Sequence, residues 1–181
     1  MDETSFLTLY KGVIRPLIEY ATTVWSPYKK GQINAIENVQ RRATNLIPGL
    51  HNMTYEERLQ HLKLPTLFYR RLRGDMLMTH KLLTGKYDKN APTMLLELDS
   101  SKMGRNSNSL SLKRANTQDR GTNKTRTNFF SNRVISEWNK LPNKVVESKT
   151  PITFKSSLDK HWKSHRAKYS IIMALNADIT T

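Results

Sequence analysis

Apolar side chains recur at three- and four-residue steps over most of the first 85 residues, which is the period of an amphipathic helix. This spacing predicts four helices, over about residues 5–24, 31–46, 54–62 and 66–83. Gly85 is a plausible stop for the fourth helix. Connections this short, marked by Pro and Gly, favour neighbouring helices packed in a small bundle. The fold class predicted from the sequence is therefore mainly α.

Local signals mark the ends of these helices. Thr4 or Ser5 can cap the first helix, and Pro16 should kink it or split it. Thr54 and Glu57 have the spacing of a capping box, which satisfies two backbone donors reciprocally. These signals place helix boundaries without any long-range information.

The periodicity fades after residue 85, where Ser, Asn, Gly and Lys dominate. Weak alternation near Leu110 and Leu112, and again near Thr125 and Thr127, predicts a short β-hairpin within this basic linker. Four segments follow from these patterns. They are a helical bundle at 1–85, a basic linker at 86–128, a C-terminal helical pair at 129–163 and a flexible tail at 164–181.

The C-terminal helical pair has its own start and stop signals. Phe130, Val134 and Trp138 fit one helix, which Pro142 should end. The second helix is predicted to start at Thr150-Pro151, with a capping hydroxyl followed by Pro at the first helical position.

Charge is the strongest indication of a partner. The chain has 30 Lys and Arg against 15 Asp and Glu, a net charge of +15, and residues 101–169 hold 16 basic and 4 acidic side chains. Such a surplus points to RNA or DNA, contacted along its phosphate backbone with low sequence specificity. The candidate contact residues are Arg41, Arg42, Arg70, Arg71, Arg73, Lys113, Arg114, Arg120, Lys124, Arg126 and Arg133.

A solvated basic surface is the alternative explanation for these clusters. Some of the arginines should form ion pairs on helix surfaces, such as Glu37 with Arg41 four residues later. The aromatic residues raise a similar choice, because exposed rings can stack on bases. Helical spacing instead favours the protein core for them. They are Tyr10, Tyr20, Trp25, Trp138 and Trp162.

Enzyme chemistry is poorly represented. The adjacent acids at residues 2–3 and 56–57 suit helix starts, and neither a Walker loop nor a GxSxG elbow occurs. His161 and His165 have the i, i+4 spacing of HExxH zinc sites, but the Glu of that motif is missing. With no cysteine, thiolate zinc sites and disulfides are excluded. No catalytic residue, metal, cofactor or small-molecule substrate is predicted.

Membrane insertion is not expected either. The longest apolar runs are far shorter than the roughly 20 residues needed to span a bilayer. The acidic, amphipathic N-terminus does not have the pattern of a signal peptide.

Several short stretches occur in a defined order over residues 5–163. They are YKxxIRP at 10–16, EYA at 19–21, VW at 24–25, ExVQRRAT at 37–44, LPTL at 64–67, RR at 70–71, FF at 129–130, RV at 133–134, WNxLP at 138–142 and FKxxLD at 154–159. Together they resemble the region after the palm in reverse transcriptases of non-LTR retrotransposons of the jockey and CR1 type.

The resemblance implies that the chain corresponds to the thumb and the C-terminal extension of an RNA-directed DNA polymerase. Thumb helices of that family grip the template–primer duplex through its backbone. The polymerase aspartates lie upstream in the family, and no Asp-Asp pair occurs in this sequence. The chain alone is therefore expected to be inactive. Three alternatives stay open: a protein-interaction or self-association module, an enzyme with the activity of the full-length parent, and a non-functional retroelement remnant.

Overall fold

The computed structural model describes residues 2–86, 96–99, 109–113, 128–172 and 175. Helices dominate these ranges, which confirms the predicted mainly α class. Leu98 and Leu112 form an isolated antiparallel bridge. The second arm of the predicted hairpin, near Thr125 and Thr127, lies outside the described residues, so the hairpin stays a prediction.

The chain divides into two compact units, whose limits differ from the four segments predicted from sequence. Unit 1 comprises Met1–Leu72 and His165–Thr181, and unit 2 comprises Arg73–Ser164. The division falls inside the fourth predicted helix, because the contacts of its two halves are made with different parts of the chain.

Unit 1 is built from short helices close to the predicted positions. In chain order they are α1 (Glu3–Leu9), a π-helical turn (Tyr10–Ile14), α2 (Arg15–Glu19), α3 (Lys30–Asn45), α4 (Tyr55–His61), the start of α5 (Leu67–Leu83) and a 3-10 helix (Arg166–Lys168).

Pro16 explains the π-helical turn before α2. Proline has no N–H, and its ring clashes with the carbonyl four residues earlier in a regular α-helix. Here the Arg15 N–H donates to the Tyr10 carbonyl, five residues back, which widens the helix at that point.

The N-cap of α1 is Asp2, whose carboxylate accepts from the Ser5 N–H at 3.1 Å, so the predicted cap at Thr4 or Ser5 is wrong.

The first helical region also ends earlier than predicted. It stops at Glu19 rather than near residue 24, and Ala21 adopts a left-handed conformation with φ of 50°. Val24 and Trp25 donate their N–H groups to the Ala21 carbonyl at 2.9 and 3.1 Å. A compact turn therefore replaces the last part of the predicted helix.

The core of unit 1 is formed by buried side chains from α1, the π-helical turn, α3, α4 and the segments that follow α3 and α4. The predicted capping box is confirmed, since Thr54 and Glu57 bond reciprocally at the start of α4. The buried side chains that pack together are Phe6, Tyr10, Ala43, Ile47, Leu50, Tyr55, Leu59, Leu62 and Leu64.

The first part of the predicted flexible tail packs in unit 1. Thr66 donates its hydroxyl to the Ala167 carbonyl at 2.6 Å and its N–H to the Lys168 carbonyl at 2.9 Å. Ala167 and Ile171 are buried. Residues 165–171 thus belong to the fold of unit 1, and residues 173–174 and 176–181 lie outside the described residues.

Unit 2 contains the rest of α5 with α6 (Phe130–Asn139), α7 (Asn143–Val146) and α8 (Pro151–His161). As predicted, Gly85 ends α5 with φ of 64°, and α8 starts on a Thr150 capping box with Pro at its first position. Trp138 and Phe154 are buried and stack with ring centroids 5.7 Å apart. Large aromatic side chains dominate such a core.

Trp138 and Asn139 also hold the segment 109–113 in unit 2. The indole N–H donates to the Leu110 carbonyl at 2.9 Å. The Asn139 amide accepts from the Leu112 N–H at 2.8 Å and donates to the Leu112 carbonyl at 2.9 Å. The WN pair of the sequence therefore has a structural role, because it satisfies backbone groups that would otherwise be buried without partners.

Candidate nucleic-acid interface

Two of the predicted contact arginines are engaged by carboxylates of their own unit. In unit 1, Arg70 forms a two-point ion pair with Glu19, with an Nη2–Oε2 distance of 2.8 Å. In unit 2, Arg73 pairs with Asp159 through Nε–Oδ1 and Nη2–Oδ2 distances of 2.6 and 2.7 Å. In each pair, the carboxylate occupies the two guanidinium N–H donors that would bind a phosphate in the same bidentate way.

Arg133 is held in the same way in unit 2. Its Nε and Nη2 lie 2.8 and 2.9 Å from the two carboxylate oxygens of Asp75, and both side chains are largely buried. Its guanidinium also lies 5.5 Å from the ring centroid of Phe130. Arg133 is therefore a structural residue of unit 2 in this geometry.

Arg71 is buried in unit 1 near the carboxylate of Glu37. Glu37 accepts from the Tyr55 hydroxyl at 2.6 Å and from the N–H groups of Leu67 and Phe68 at the start of α5, at 3.0 and 3.4 Å. Burial is the largest influence and raises the pKa of the Glu37 carboxyl. This site stabilises the helix start.

Gln40 extends this buried network. It accepts from the Tyr10 hydroxyl at 2.5 Å, and its amide donates to the Tyr55 hydroxyl at 3.0 Å and the Pro65 carbonyl at 3.1 Å. Burial raises the pKa of Tyr55 and of Tyr10, so both hydroxyls stay protonated. The ExVQ stretch is thus explained by packing.

The predicted surface pair between Glu37 and Arg41 is wrong, because Glu37 points into the core. Arg41 instead donates to the Asn38 side chain and lies over the Tyr55 ring at 4.9 Å. Arg42 is exposed, and Lys113 forms an exposed ion pair with Glu97 at 3.3 Å. The remaining predicted contacts lie outside the described residues: Arg114, Arg120, Lys124 and Arg126.

Four lysines outside the predicted set of contact residues are more accessible to a phosphate backbone than the paired arginines. Lys144 on α7, Lys149 between the helices, and Lys155 and Lys160 on α8 are all exposed. In the described part of the chain, no ion pair holds any of them. The signal was present in the sequence, since Lys155 and Lys160 fall off the apolar stripe of α8.

The acidic side chains near these lysines are already engaged. Asp159 is held by Arg73, Glu137 accepts from Lys140 at 2.6 Å, and Glu147 accepts from the Ser109 hydroxyl at 2.8 Å. We call these four exposed lysines of unit 2 the lysine surface; none of them has an ion-pair partner among the described residues.

The histidines lie apart from one another in the described part of the chain, in no cluster of possible metal ligands. His161 and His165 do not lie on one helix face despite their i, i+4 spacing, because α8 ends at His161. His165 instead accepts from the Ala167 N–H at 3.3 Å. Within the described ranges, no group of three or more metal-ligating side chains comes together.

The aromatic residues split into two classes. The prediction of core positions is confirmed for Tyr10, Trp138 and Trp162, which are buried. It is wrong for Tyr20 and Trp25, which are 77% and 42% exposed. The physical reason is the early end of α2, since a helical stripe no longer applies beyond Glu19.

Among the described residues, no helix has the length and apolar character required to cross a bilayer. No known protein family, curated protein or solved structure matches the chain. The likeness to non-LTR reverse transcriptases therefore rests on the residues quoted above.

Proposed function

We propose that this chain binds the phosphate backbone of RNA or DNA, with little sequence preference, through the lysine surface of unit 2. The observation that carries the proposal is the exposure of Lys144, Lys149, Lys155 and Lys160, none of which forms an ion pair within the described residues. Ammonium groups on flexible stems act as point charges, so they neutralise phosphates without reading bases.

We also propose that the chain is the thumb and C-terminal extension of a non-LTR retrotransposon reverse transcriptase. The short sequence stretches that occur in a defined sequence order between residues 10 and 159 support this origin. In that setting, backbone binding would grip a template–primer duplex, and the polymerase chemistry would require carboxylates beyond those of this chain.

The lysine surface makes a prediction about salt. Replacing Lys155 and Lys160 by Gln removes two phosphate contacts while keeping good helix formers on α8. The slope of log affinity against log salt should then fall by about 1.8 for duplex DNA. Fluorescence anisotropy of a labelled duplex, measured from low to moderate salt, provides this slope.

A charge-matched control is available in unit 1. The variant Lys11→Gln with Lys63→Gln also removes two exposed lysines, and it should leave the slope unchanged. If both variants lower the slope equally, binding is diffuse and the lysine surface is not the site. A wild-type affinity that does not depend on salt would contradict backbone binding altogether.

Self-association is the second candidate, and an exposed apolar stripe of unit 1 favours it. Leu9, Val13 and Leu17 are exposed at four-residue steps along α1, the π-helical turn and α2. A second copy packed on the same stripe across a two-fold axis would cover these apolar side chains on both copies.

The second candidate predicts a concentration-dependent mass. Light scattering should show a dimer, and replacing Val13 and Leu17 by Glu should return the chain to a monomer, because charge in an apolar interface is costly. Ile152→Glu is the control, since Ile152 is an exposed apolar residue of unit 2. A wild-type chain that stays monomeric at all concentrations rules this candidate out.

A further inference from the structure

Three aromatic side chains lie exposed on one turn of unit 1, between α2 and α3. Tyr20, Trp25 and Tyr28 are 77%, 42% and 38% exposed. The other two tryptophans, Trp138 and Trp162, are 0% and 6% exposed. Tyr20 is mostly exposed, and Trp25 and Tyr28 are partly exposed, whereas Trp138 and Trp162 are almost fully buried. Three accessible aromatic rings on one connection between helices indicate a contact site.

Trp25 is held in place by its own turn. Its indole N–H donates to the Tyr20 carbonyl at 2.8 Å, and its backbone N–H donates to the Ala21 carbonyl at 3.1 Å. The one polar atom of the ring is therefore used within the turn. The surface that faces solvent can offer stacking and apolar contact to a ligand, and it can do so without first being ordered.

The surroundings of the turn are cationic. From residue 20 to residue 36 the sequence contains Lys29 and Lys30, both exposed, and no acid. The flanking carboxylates do not offset this charge at the surface, because Glu19 pairs with Arg70 and Glu37 is buried. Aromatic rings beside uncompensated lysines are the combination that holds single strands, with bases on the rings and phosphates on the cations.

We propose that the turn at residues 20–30 is a base-stacking site for single-stranded nucleic acid. The proposal rests on the proposed nucleic-acid binding and adds to it a preference for unpaired strands. Bases in a duplex already stack on each other, so they have no free face for Trp25. Because every base has a π-face, the site should tolerate any sequence.

A protein partner is the competing occupant of this part of unit 1. An apolar protein partner would be expected to bind the aliphatic side chains of Leu9, Val13 and Leu17. These side chains precede the turn and are not part of the proposed stacking site. The aromatic composition of the turn and its lysines favour nucleic acid. Protein docking is therefore kept as an outcome of the test.

Trp25 reports directly on the test. Single-stranded oligothymidylate of about 16 nucleotides, titrated into the full chain, should quench the Trp25 emission, since a base stacked on the ring is in contact with it. The Trp25→Phe variant identifies that emission, because the tryptophans that remain, Trp138 and Trp162, are buried. Duplex DNA and heparin, which offer charge without unpaired bases, should leave it unquenched.

Trp25→Leu removes the ring face and keeps the charge. Its affinity for the oligonucleotide should fall about 5- to 150-fold, the value of one stacked base, with an unchanged salt slope and unchanged duplex affinity. Trp25→Phe retains an aromatic face and should recover most of the loss. Tyr28→Leu should weaken single-strand binding in the same direction, and it tests the site if Trp25→Leu disturbs the turn.

The outcomes separate this inference from the proposed function. Salt-dependent binding of the oligonucleotide with no quenching, and equal affinity of the leucine variants, would overturn the stacking site and keep backbone binding. Absence of any nucleic-acid binding by the wild-type chain would overturn both. Leucine variants that change the mass in light scattering, with oligonucleotide affinity intact, would reassign the turn to a protein contact.

Discussion

Replacing Glu37 by alanine should lower the free energy of unfolding by about 3–5 kcal/mol. The substitution deprives the Tyr55 hydroxyl and the N–H groups of Leu67 and Phe68 of their acceptor inside the core. Arg71 also loses the negative charge that lies near it. A small protein has only about 5–15 kcal/mol in total, so a large share of its stability depends on this carboxylate.

Urea unfolding followed by circular dichroism measures this change. Glu56→Ala is the matched control, because Glu56 lies in the first turn of α4 and is only partly buried. It should cost less than about 1 kcal/mol, the value of an acid near a helix start. Equal losses for the two variants would contradict the central role of Glu37.

The pH dependence of Glu37 has a definite sign. Burial raises its pKa above the ordinary value of 4.5, so folding favours the protonated form. Its contribution to stability is largest below the unfolded pKa and declines as pH rises through the folded pKa. The stability of Glu37→Gln should therefore improve relative to wild type as pH increases from about 4, with the change complete above the raised pKa. The opposite trend would show that the ionised form is the stabilised one.

Much of the helical architecture could be predicted from local patterns. Thr54 with Glu57, and Thr150 with Pro151, act within one turn of the chain, so their sequence signals suffice. The π-helical turn before α2 could be predicted from the sequence only in part. Pro16 predicts a kink or a split in the helix, but the sequence pattern does not specify a π-helical turn.

Contacts between distant parts of the chain could not be predicted in this way. The bond of Thr66 with the Ala167 carbonyl joins residues 101 positions apart, and it places residues 165–171 in unit 1. The exposure of Tyr20 and Trp25 could not be predicted for a related reason. The apolar period predicts a helix that continues past Glu19, whereas the left-handed conformation of Ala21 turns the chain.

The candidate site shows the same limit for charges. The composition shows the surplus of basic residues, but it does not show which of them form ion pairs with acidic side chains. Arg70 and Glu19 are 51 positions apart, and Arg73 and Asp159 are 86 apart. Clustering in the sequence predicts phosphate contacts for Arg70 and Arg73, whereas in the fold each of the two connects a pair of helices through a carboxylate.

Replacing Arg133 by methionine should destabilise unit 2 by about 3–5 kcal/mol, the cost of breaking a buried ion pair by removing one partner. Asp75 would keep a carboxylate in a buried position without the guanidinium that contacts both of its oxygens. Removing both members, as Asp75→Leu with Arg133→Met, should be far less costly. Apolar residues of similar volume require no desolvation of charge.

A double-mutant cycle measures the coupling of the two residues. Unfolding free energies of wild type, both single variants and the double variant give the interaction energy directly. Lys140→Met is the control, since its pair with Glu137 is partly exposed and should contribute less than about 1 kcal/mol. A coupling energy near zero would mean that the pair does not hold α6 against α5 within unit 2.

The same variants decide whether Arg133 also contacts nucleic acid, as its place in the sequence predicted. If its role is structural, the double variant that restores stability should bind a duplex with the wild-type affinity and salt slope. If Arg133 contacts a phosphate, the double variant should lose about 0.9 of the salt slope although it is stably folded. Stability and salt dependence together therefore separate a guanidinium that holds the fold from one that holds a ligand.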